Sequence, residues 1–411
     1  LWDVRRELGP LHAATRPRGT TVLSEDVCFK VKDLTKAIKD LKFLFKHFHY
    51  DDAVIFGHAG DGNLHFKLSL DLSSDSAIQN YGRFMNDLVE LIIDKYDGSL
   101  KAEHGTGRNM APFVEREWGT EAFTIMQEIK GLIDPTGILN PDVVISHKKD
   151  IHLKDIKPIP LVDPLIDKCI ECGLCEPWCP SADLTLTPRQ RIHVLREIEV
   201  LRAEDNQDEL IQKLERNFNY AGVKTCASDG LCSLSCPIDI DTGQLMKLKR
   251  SETRGSISRF LSRFLRQHFS VTLTGFKLLL ILFAPLRGLL RNQSFYNGIK
   301  TLARITHGKV PALNSQLQKG KRLPIIPAGN QEADLVYFPS CLSRGLSDPQ
   351  KLKLSVPDAF AGVLEHAGIQ FIYPQKLTDL CCGLTFSSKG FPETALQSAI
   401  QTTEMLWISS D

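Results

Sequence analysis

The sequence predicts an α+β domain, then a small and mostly helical cysteine-rich module, a basic helical segment and the start of an α/β domain. Three observations carry this reading. Short apolar strands lie beside a helix-period segment within residues 1–147; seven cysteines fall in two tight runs between 169 and 236; and residues 247–322 hold 16 Lys or Arg against one acid, Glu252. A length of 411 residues allows roughly two to four domains. Hydrophobic residues at 42% and charged residues at 24% exclude a mainly disordered, collagen-like or coiled-coil chain.

The elements follow in order. FKVKDLTKAIKDLKFLFKHF (29–48) has helical period, and AVIFGHA (53–59) and LHFKLSL (64–70) read as strands, which makes 1–147 the α+β domain. Residues 148–166 hold three Pro among many charges and read as a linker. Residues 167–250 form the cysteine module, whose helical middle (PRQRIHVLREIEVLRAEDNQDELIQKLERNFNYAG) spaces the two runs. A basic amphipathic segment occupies 251–327, and in 328–411 a strand (ADLVYF) and a helix (PDAFAGVLEHAG) open the α/β domain. The chain starts at Leu1 without Met or a leader and stops at Asp411 in mid-pattern, so it is expected to be a fragment.

The formal net charge of +1 conceals an asymmetry, because the basic stretch carries +15 and the remainder −14. In SISRFLSRFLRQHF, Arg259, Arg263 and Arg266 share one helical face, and Ile257, Phe260, Leu261, Phe264 and Leu265 the other. Contact with a membrane surface and packing on the acidic remainder are both open; nucleic acid is not expected, since no binding module accompanies the charge. LLLILFAPL (278–286) is nine residues long, far short of the roughly 20 a spanning helix needs. Clustered cysteines fit metal ligation in a reducing compartment, so the expected location is cytoplasmic, with peripheral contact at the inner face of the membrane as an option.

In AVIFGHAGDGNLHFKLSL, Asp61-Gly62 favours a two-residue type I′ turn. Pairing outward from it puts His58 opposite His65, on one face and about 5 Å apart at Cβ, where two imidazoles can share a divalent metal. Two half-buried histidines with no ligand role are the plain alternative. Lys101-Ala-Glu103-His104-Gly105-Thr-Gly107 adds a second group of ligand and base types beside glycines. Neighbours Glu103 and His104 would point to opposite faces of a regular strand, so a bend at Gly105 is expected. Gly57, Gly60 and Gly62 lack the GxGxxG spacing and no helix follows, which excludes a Rossmann fingerprint.

GHAGDGNLH, AEHGTGR and IDPTGILNP (133–141) resemble the C-terminal substrate domain of the FAD-linked D-lactate dehydrogenase, D-2-hydroxyglutarate dehydrogenase and glycolate oxidase family. The resemblance spans residues 1–147 and implies a flavin domain ahead of Leu1. It implies a divalent metal, Zn or Mn, on His58, His65 and Glu103, and His104 as the base. It also implies that Arg5, in Trp2-Asp-Val-Arg5, binds the substrate carboxylate, and Asn63 lies in the same turn as the hairpin histidines and is expected to face the substrate. Where close relatives grip substrate with a hydroxyl residue and a Lys, this chain has Gly9 and Ser24 or Glu25. The reaction so implied removes the C2 hydroxyl proton of a small D-2-hydroxy acid, D-lactate first among them, and delivers the C2 hydride to flavin.

Cys169-Ile-Glu-Cys172-Gly-Leu-Cys175-Glu-Pro-Trp-Cys179-Pro180 is the C-x2-C-x2-C-x3-C-P run of a 4Fe-4S ferredoxin, with structural zinc as the alternative. Cys226-Ala-Ser-Asp229-Gly-Leu-Cys232-Ser-Leu-Ser-Cys236-Pro237 keeps that spacing with Asp229 in place of the second Cys. Crossed ligation assigns Cys169, Cys172, Cys175 and Cys236 to one cluster and Cys179, Cys226 and Cys232, with Asp229 as a candidate fourth ligand, to another of 3Fe-4S or carboxylate-ligated 4Fe-4S type. A second loop that binds nothing is the alternative. Cys341 and Cys381-Cys382-Gly383 resemble the cysteine-rich CCG domain of heterodisulfide reductase and of iron-sulfur subunits in glycolate and lactate oxidation, which makes them candidate ligands of a further cluster; three structural cysteines are the alternative. Together these motifs imply a dehydrogenase passing electrons from FAD through iron-sulfur clusters to a quinone or cytochrome. A non-catalytic electron-transfer module is the reading from another class.

Overall fold

The acidic pair in TVLSEDVC sits inside a strand the sequence analysis does not name, β1 (Thr21–Cys28). It joins β2 (Val54–His58) and β3 (Asn63–Leu70) in an antiparallel sheet of order β1-β3-β2. The computed structural model describes residues 12–410 apart from 158, 205–207, 283–292, 306–317, 320–332 and 348–354. The chain divides into two compact units between Met246 and Lys247.

In the first unit β3 is central, so both of its edges are paired, and alternate residues on its two faces serve different ends. Phe66 and Leu68, with no exposed surface, point with Leu64 and Leu70 into a core built with Val27 of β1. Helix α1 (Leu34–His47) adds Ala37, Leu41 and Phe45 at i, i+4 spacing, and α2 (Asp75–Val89), capped by the Ser74 hydroxyl, adds Phe84, Met85 and Leu88. The opposite face carries Asn63 and His65, which are polar yet 6% and 3% exposed. That face holds the candidate site.

The register corrects the expected hairpin. His58 pairs with Asn63, and Phe56 with His65, because Ala59–Asp61 form a 3-10 turn and the connection is longer than two residues. Gly62 alone in this turn takes a positive φ, 72°, and its carbonyl accepts from Phe29 N at 2.9 Å. A Cβ there would meet the Phe29 carbonyl at 1.9 Å, so the docking of turn on strand end selects glycine.

The cysteine module follows in the same unit. α4 (Pro188–Ala203), which comes after α3 (Val114–Ile133), starts with a capping box between Thr187 and Gln190 and with Pro188 in its first turn. α5 (Asp208–Phe218) returns toward the second cysteine run, and Ile166, Ile192, Leu195, Phe218, Val223, Leu245 and Met246 close a small core. Both helices fall in the segment read as helical from its period.

In the second unit α7 (Ser256–Gln267), the predicted basic helix, follows the short α6 (Leu231–Leu234) of the first unit in chain order. α8 (Phe269–Leu282) covers the first part of the apolar run, whose residues 283–286 lie outside the described residues. No helix among the described residues is long and apolar enough to cross a membrane. β4 (Leu335–Val336) pairs in parallel with β5 (Phe371–Ile372); α9 (Cys341–Gly345) and α10 (Val356–His366) lie between them in sequence, and α11 (Pro392–Ser410) follows. Parallel strands joined through helices fit the expected start of an α/β domain.

Candidate functional site

Across the sheet, the register aligns Asp26 of β1 with His65 of β3 and Phe56 of β2. His58 lies two residues beyond Phe56 on the same face, diagonal to His65, and the two imidazole centroids are 5.3 Å apart. The histidines therefore meet although they are not directly opposed.

The loop from Lys101 to Gly107 crosses above them and is not a strand. It is pinned at its start where Cys28 and Ser99 exchange two backbone hydrogen bonds of 2.9 Å. Beyond that, Asp26 Oδ2 accepts the backbone N–H groups of Ala102 (2.9 Å), Glu103 (2.6 Å) and His104 (3.2 Å). Three consecutive N–H groups converging on one carboxylate curl the chain, so neighbouring Glu103 and His104 reach the same place. The expected bend is thus made by Asp26, with Gly105 (φ 74°) continuing it.

Glu103 Oε1 stands 2.8 Å from His65 Nε2, 3.4 Å from His58 Nε2 and 3.5 Å from His104 Nε2. The His65 and His104 rings stack at 4.8 Å and 9°. Among the described residues two donor sets have ligand atoms mutually within 4.8 Å: His58, His65 and Glu103, and Asp26, His65 and His104. Two ligands about 2.1 Å from a tetrahedral metal are separated by ~3.4 Å, so the spacing of the first set fits a divalent ion. His65 Nδ1, Asn63 Oδ1 and Asp26 Oδ1 are buried without a hydrogen-bond partner among the described residues, as expected where a further group completes the site. Burial, then the neighbouring His104, lowers the His65 pKa, which favours the neutral imidazole a metal needs. Burial pushes Asp26 up, but the N–H groups of Glu103 and His104 and the Lys101 charge outweigh it and hold the carboxyl below its usual range.

Behind the site, Lys101 pairs with Glu25 and stands 3.4 Å from Asp26 Oδ1. Glu25 also accepts from Asn109, whose carbonyl accepts from Tyr81 OH. The sequence reading missed Asp26; the signal that could have found it is an acidic pair inside an otherwise strand-like segment. Arg5, Trp2 and Gly9 lie outside the described residues.

Within the cysteine module none of the seven cysteines is joined in a disulfide. Burial raises the Cys169 pKa and the nearby Cys236 raises it further, so the end of the second run has returned to the beginning of the first. Cys175, raised to about 11 by burial, also feels Cys169 and Cys232. Asp229 is exposed, and its Oδ1 accepts from Leu231 N at 3.2 Å. The carboxylate in contact with a thiol here is Asp241, with Oδ1 3.7 Å from Cys232 Sγ. Sequence spacing gave no sign of Asp241, which lies beyond the second run.

Residues 1–144 match the family described as FAD linked oxidases, C-terminal domain, and residues 165–240 match the 4Fe-4S dicluster domain. The chain carries an FAD-linked oxidase C-terminal domain followed by a 4Fe-4S dicluster domain. It is similar to glycolate oxidase subunit GlcD of Bacillus subtilis, at 31% identity over 34% of this chain and 29% of the relative. It is also similar to the mitochondrial D-lactate dehydrogenase [cytochrome] of Arabidopsis thaliana, at 31% over 35% of this chain and 25% of the relative. A D-2-hydroxyglutarate dehydrogenase of Haemophilus influenzae matches at 26% over 53% of this chain and 26% of that protein. The chain thus spans between a quarter and a third of these relatives' lengths.

The oxidase domain supplies the histidine and glutamate cluster, and the dicluster domain supplies the seven cysteines. Beyond both, in the second unit, Cys341 is hydrogen-bonded to Cys381, which together with the Arg344 charge holds the Cys341 thiol below its ordinary range against the effect of burial. Arg344 is 4% exposed and donates to the carbonyls of Leu377 and Leu380. Cys382 is exposed.

Proposed function

We propose that this chain provides the substrate side and the electron exit of a flavin-dependent dehydrogenase that oxidises a small D-2-hydroxy acid to the 2-oxo acid. D-lactate is the leading substrate, with D-2-hydroxyglutarate and glycolate as alternatives, and a quinone or cytochrome is the final acceptor. The observation that carries this reading is the convergence of His58, His65 and His104 on Glu103 Oε1 over a buried polar face. The names of the similar proteins, which act on lactate, glycolate and 2-hydroxyglutarate, support the substrate class.

His58, His65 and Glu103 would hold a divalent metal, Zn or Mn, their nitrogen and oxygen donors suiting such ions. When bound, the metal supplies polarisation of a hydroxyl oxygen, the flavin a hydride acceptor and the clusters a one-electron exit. His104 takes the hydroxyl proton; its Nδ1 lies 3.6 Å from Asp26 Oδ1, a carboxylate kept ionised that stabilises the imidazolium so formed. Asn63, buried at the start of β3 with a free carbonyl oxygen, orients the substrate, and Arg5 binds its carboxylate. Cys169, Cys172, Cys175 and Cys236 serve one cluster and Cys179, Cys226 and Cys232 the other; Cys341, Cys381 and Cys382 are candidate ligands of a third. The basic helix α7 exposes Ile257, Phe260 and Leu261 at 85%, 71% and 52%, which supports peripheral contact with a membrane surface on the cytoplasmic side.

The test is turnover of the full-length protein with D-lactate, L-lactate, D-2-hydroxyglutarate and glycolate, alongside metal, iron and acid-labile sulfide analysis. The expected result is D-selective oxidation with a stoichiometric divalent metal. Absence of turnover with every D-2-hydroxy acid in flavin-loaded protein would overturn it.

A further inference from the structure

Three of the most deeply buried side chains in the first unit are arginines, Arg16, Arg191 and Arg196, exposed by 2%, 1% and 2%. All three gather at the cysteine loops. Arg191 and Arg196 come from α4, whereas Arg16 belongs to the oxidase domain. Arg191 Nη1 lies 3.7 Å from Cys179 Sγ, and its other donors reach Gly222 O and Ser181 Oγ. Arg196 donates to Glu171 Oε1 at 2.6 Å and to the carbonyls of Asp167 (3.2 Å) and Cys169 (3.0 Å).

Arg16 differs from both. Its donors reach five backbone carbonyls, those of Thr20 (3.2 Å), Ala13 (2.8 Å), Lys168 (2.7 Å), Asp167 (3.4 Å) and Cys169 (3.4 Å), and no carboxylate among the described residues. The carboxylates nearby are committed elsewhere. Asp167 is held by Arg18 and by the N–H groups of Val162 and Asp163, and Glu171 by Arg196 and Lys157. Two guanidiniums therefore converge on the Cys169 carbonyl, and one of them, Arg16, is a buried cation with no carboxylate partner among the described residues. Such a charge is costly unless an anion lies close by. A 4Fe-4S cluster on four thiolates is net negative and gains one more negative charge on reduction, so it can supply that anion.

We propose that Arg16 is a positioning residue given by the oxidase domain to the cluster that begins at Cys169, docking that loop and raising the cluster's reduction potential. This rests on the electron-transfer reading above. The step it acts on is one-electron reduction of that cluster by reduced flavin, in which no bond forms or breaks. A nearby fixed positive charge stabilises the more negative, reduced state.

The test is a redox titration of the full-length, flavin-containing protein followed by electron paramagnetic resonance, with Arg16→Gln, Arg16→Lys and Asp167→Asn. In Arg16→Gln one of the two clusters should shift about tenfold toward its oxidised form at a fixed potential while the other moves less. Arg16→Lys, which keeps the charge and loses the planar fork, should stay near the parent value. Asp167→Asn removes a buried negative charge from the same loop and should move the same cluster the opposite way. If Arg16→Gln leaves both clusters unmoved, or moves both equally, the inference fails. If Arg16→Gln assembles no cluster, Asp167→Asn decides, and an unshifted potential there overturns the proposal. Clusters absent from the parent protein would instead bring down the electron-transfer reading itself.

Discussion

Asp26 Oδ2 lies 2.6 Å from the backbone nitrogen of Glu103, and it is this contact between a strand residue and a loop residue that turns the Glu103 side chain back over His65. The same oxygen holds Ala102 and His104. Asp26→Ala should therefore cost about 3 kcal/mol, since three N–H groups lose a charged acceptor at a site with no exposed surface. It should also release the metal. Asp26→Asn keeps a carbonyl acceptor and should lose less stability. Urea unfolding with metal analysis checks this; an alanine variant of parent stability and metal content would remove Asp26 from the role.

His58→Ala and Glu103→Ala should each abolish metal binding and most turnover in the full-length enzyme while flavin stays bound. Each removes one donor of a three-residue set, and none of the three is proposed to hold the flavin. Inductively coupled plasma analysis and the flavin absorbance read the two effects separately. Metal retained in both variants would break the assignment.

His104→Ala should slow the flavin-reduction half-reaction by about 10² to 10⁴, the usual contribution of a positioned base. Stopped-flow measurement with D-lactate reads it directly. A loss below about tenfold would move the base elsewhere.

Acid should destabilise the first unit, which holds both His12 and His152, below pH 6.5. Burial lowers the pKa of His152, opposed by Asp150, and of His12, opposed by Asp52, from the ordinary 6.5. The unfolded chain therefore binds more protons between the lowered values and 6.5, so stability is full above 6.5 and falls as pH drops through that window. Thermal midpoints between pH 7.5 and 5 check the direction, and His152→Gln should flatten the slope. A midpoint that rose on acidification would contradict the sign.

Binding of the full-length protein to anionic vesicles should weaken as salt rises, because residues 247–322 carry +15. Phe260→Ser, on the exposed face of α7, should weaken it at every salt concentration. Vesicle flotation measures both, and salt-insensitive or absent binding would leave membrane contact without support.

Spacing within the chain was enough to identify the cysteine module. C-x2-C-x2-C-x3-C-P is a local pattern, since four thiolates on one short loop need little tertiary help to be recognised. The helical middle, the strands near 54 and 64 and the basic helix were legible for the same reason: each has its own period. The motifs around His58, His65, Glu103 and His104 named side chains that the fold brings together, yet the register inferred from Asp61-Gly62 was displaced. The turn is the longer Ala59–Asp61 form, and Phe29, just past the end of β1, docks on Gly62 from a distant part of the chain.

What the sequence determined by itself is therefore the local inventory: which segments are helix or strand, which cysteines belong to one loop, and which side chains could ligate or take a proton. Only the tertiary structure decided how residues 77 positions apart share a hydrogen bond, as Asp26 and Glu103 do, or how Arg16 comes to lie on the Cys169 carbonyl 153 residues away. The physical reason is range. Period and spacing report forces between neighbours along the chain, whereas a buried charge is placed by the sum of distant donors that satisfy it, and no local pattern records which distant donors those will be.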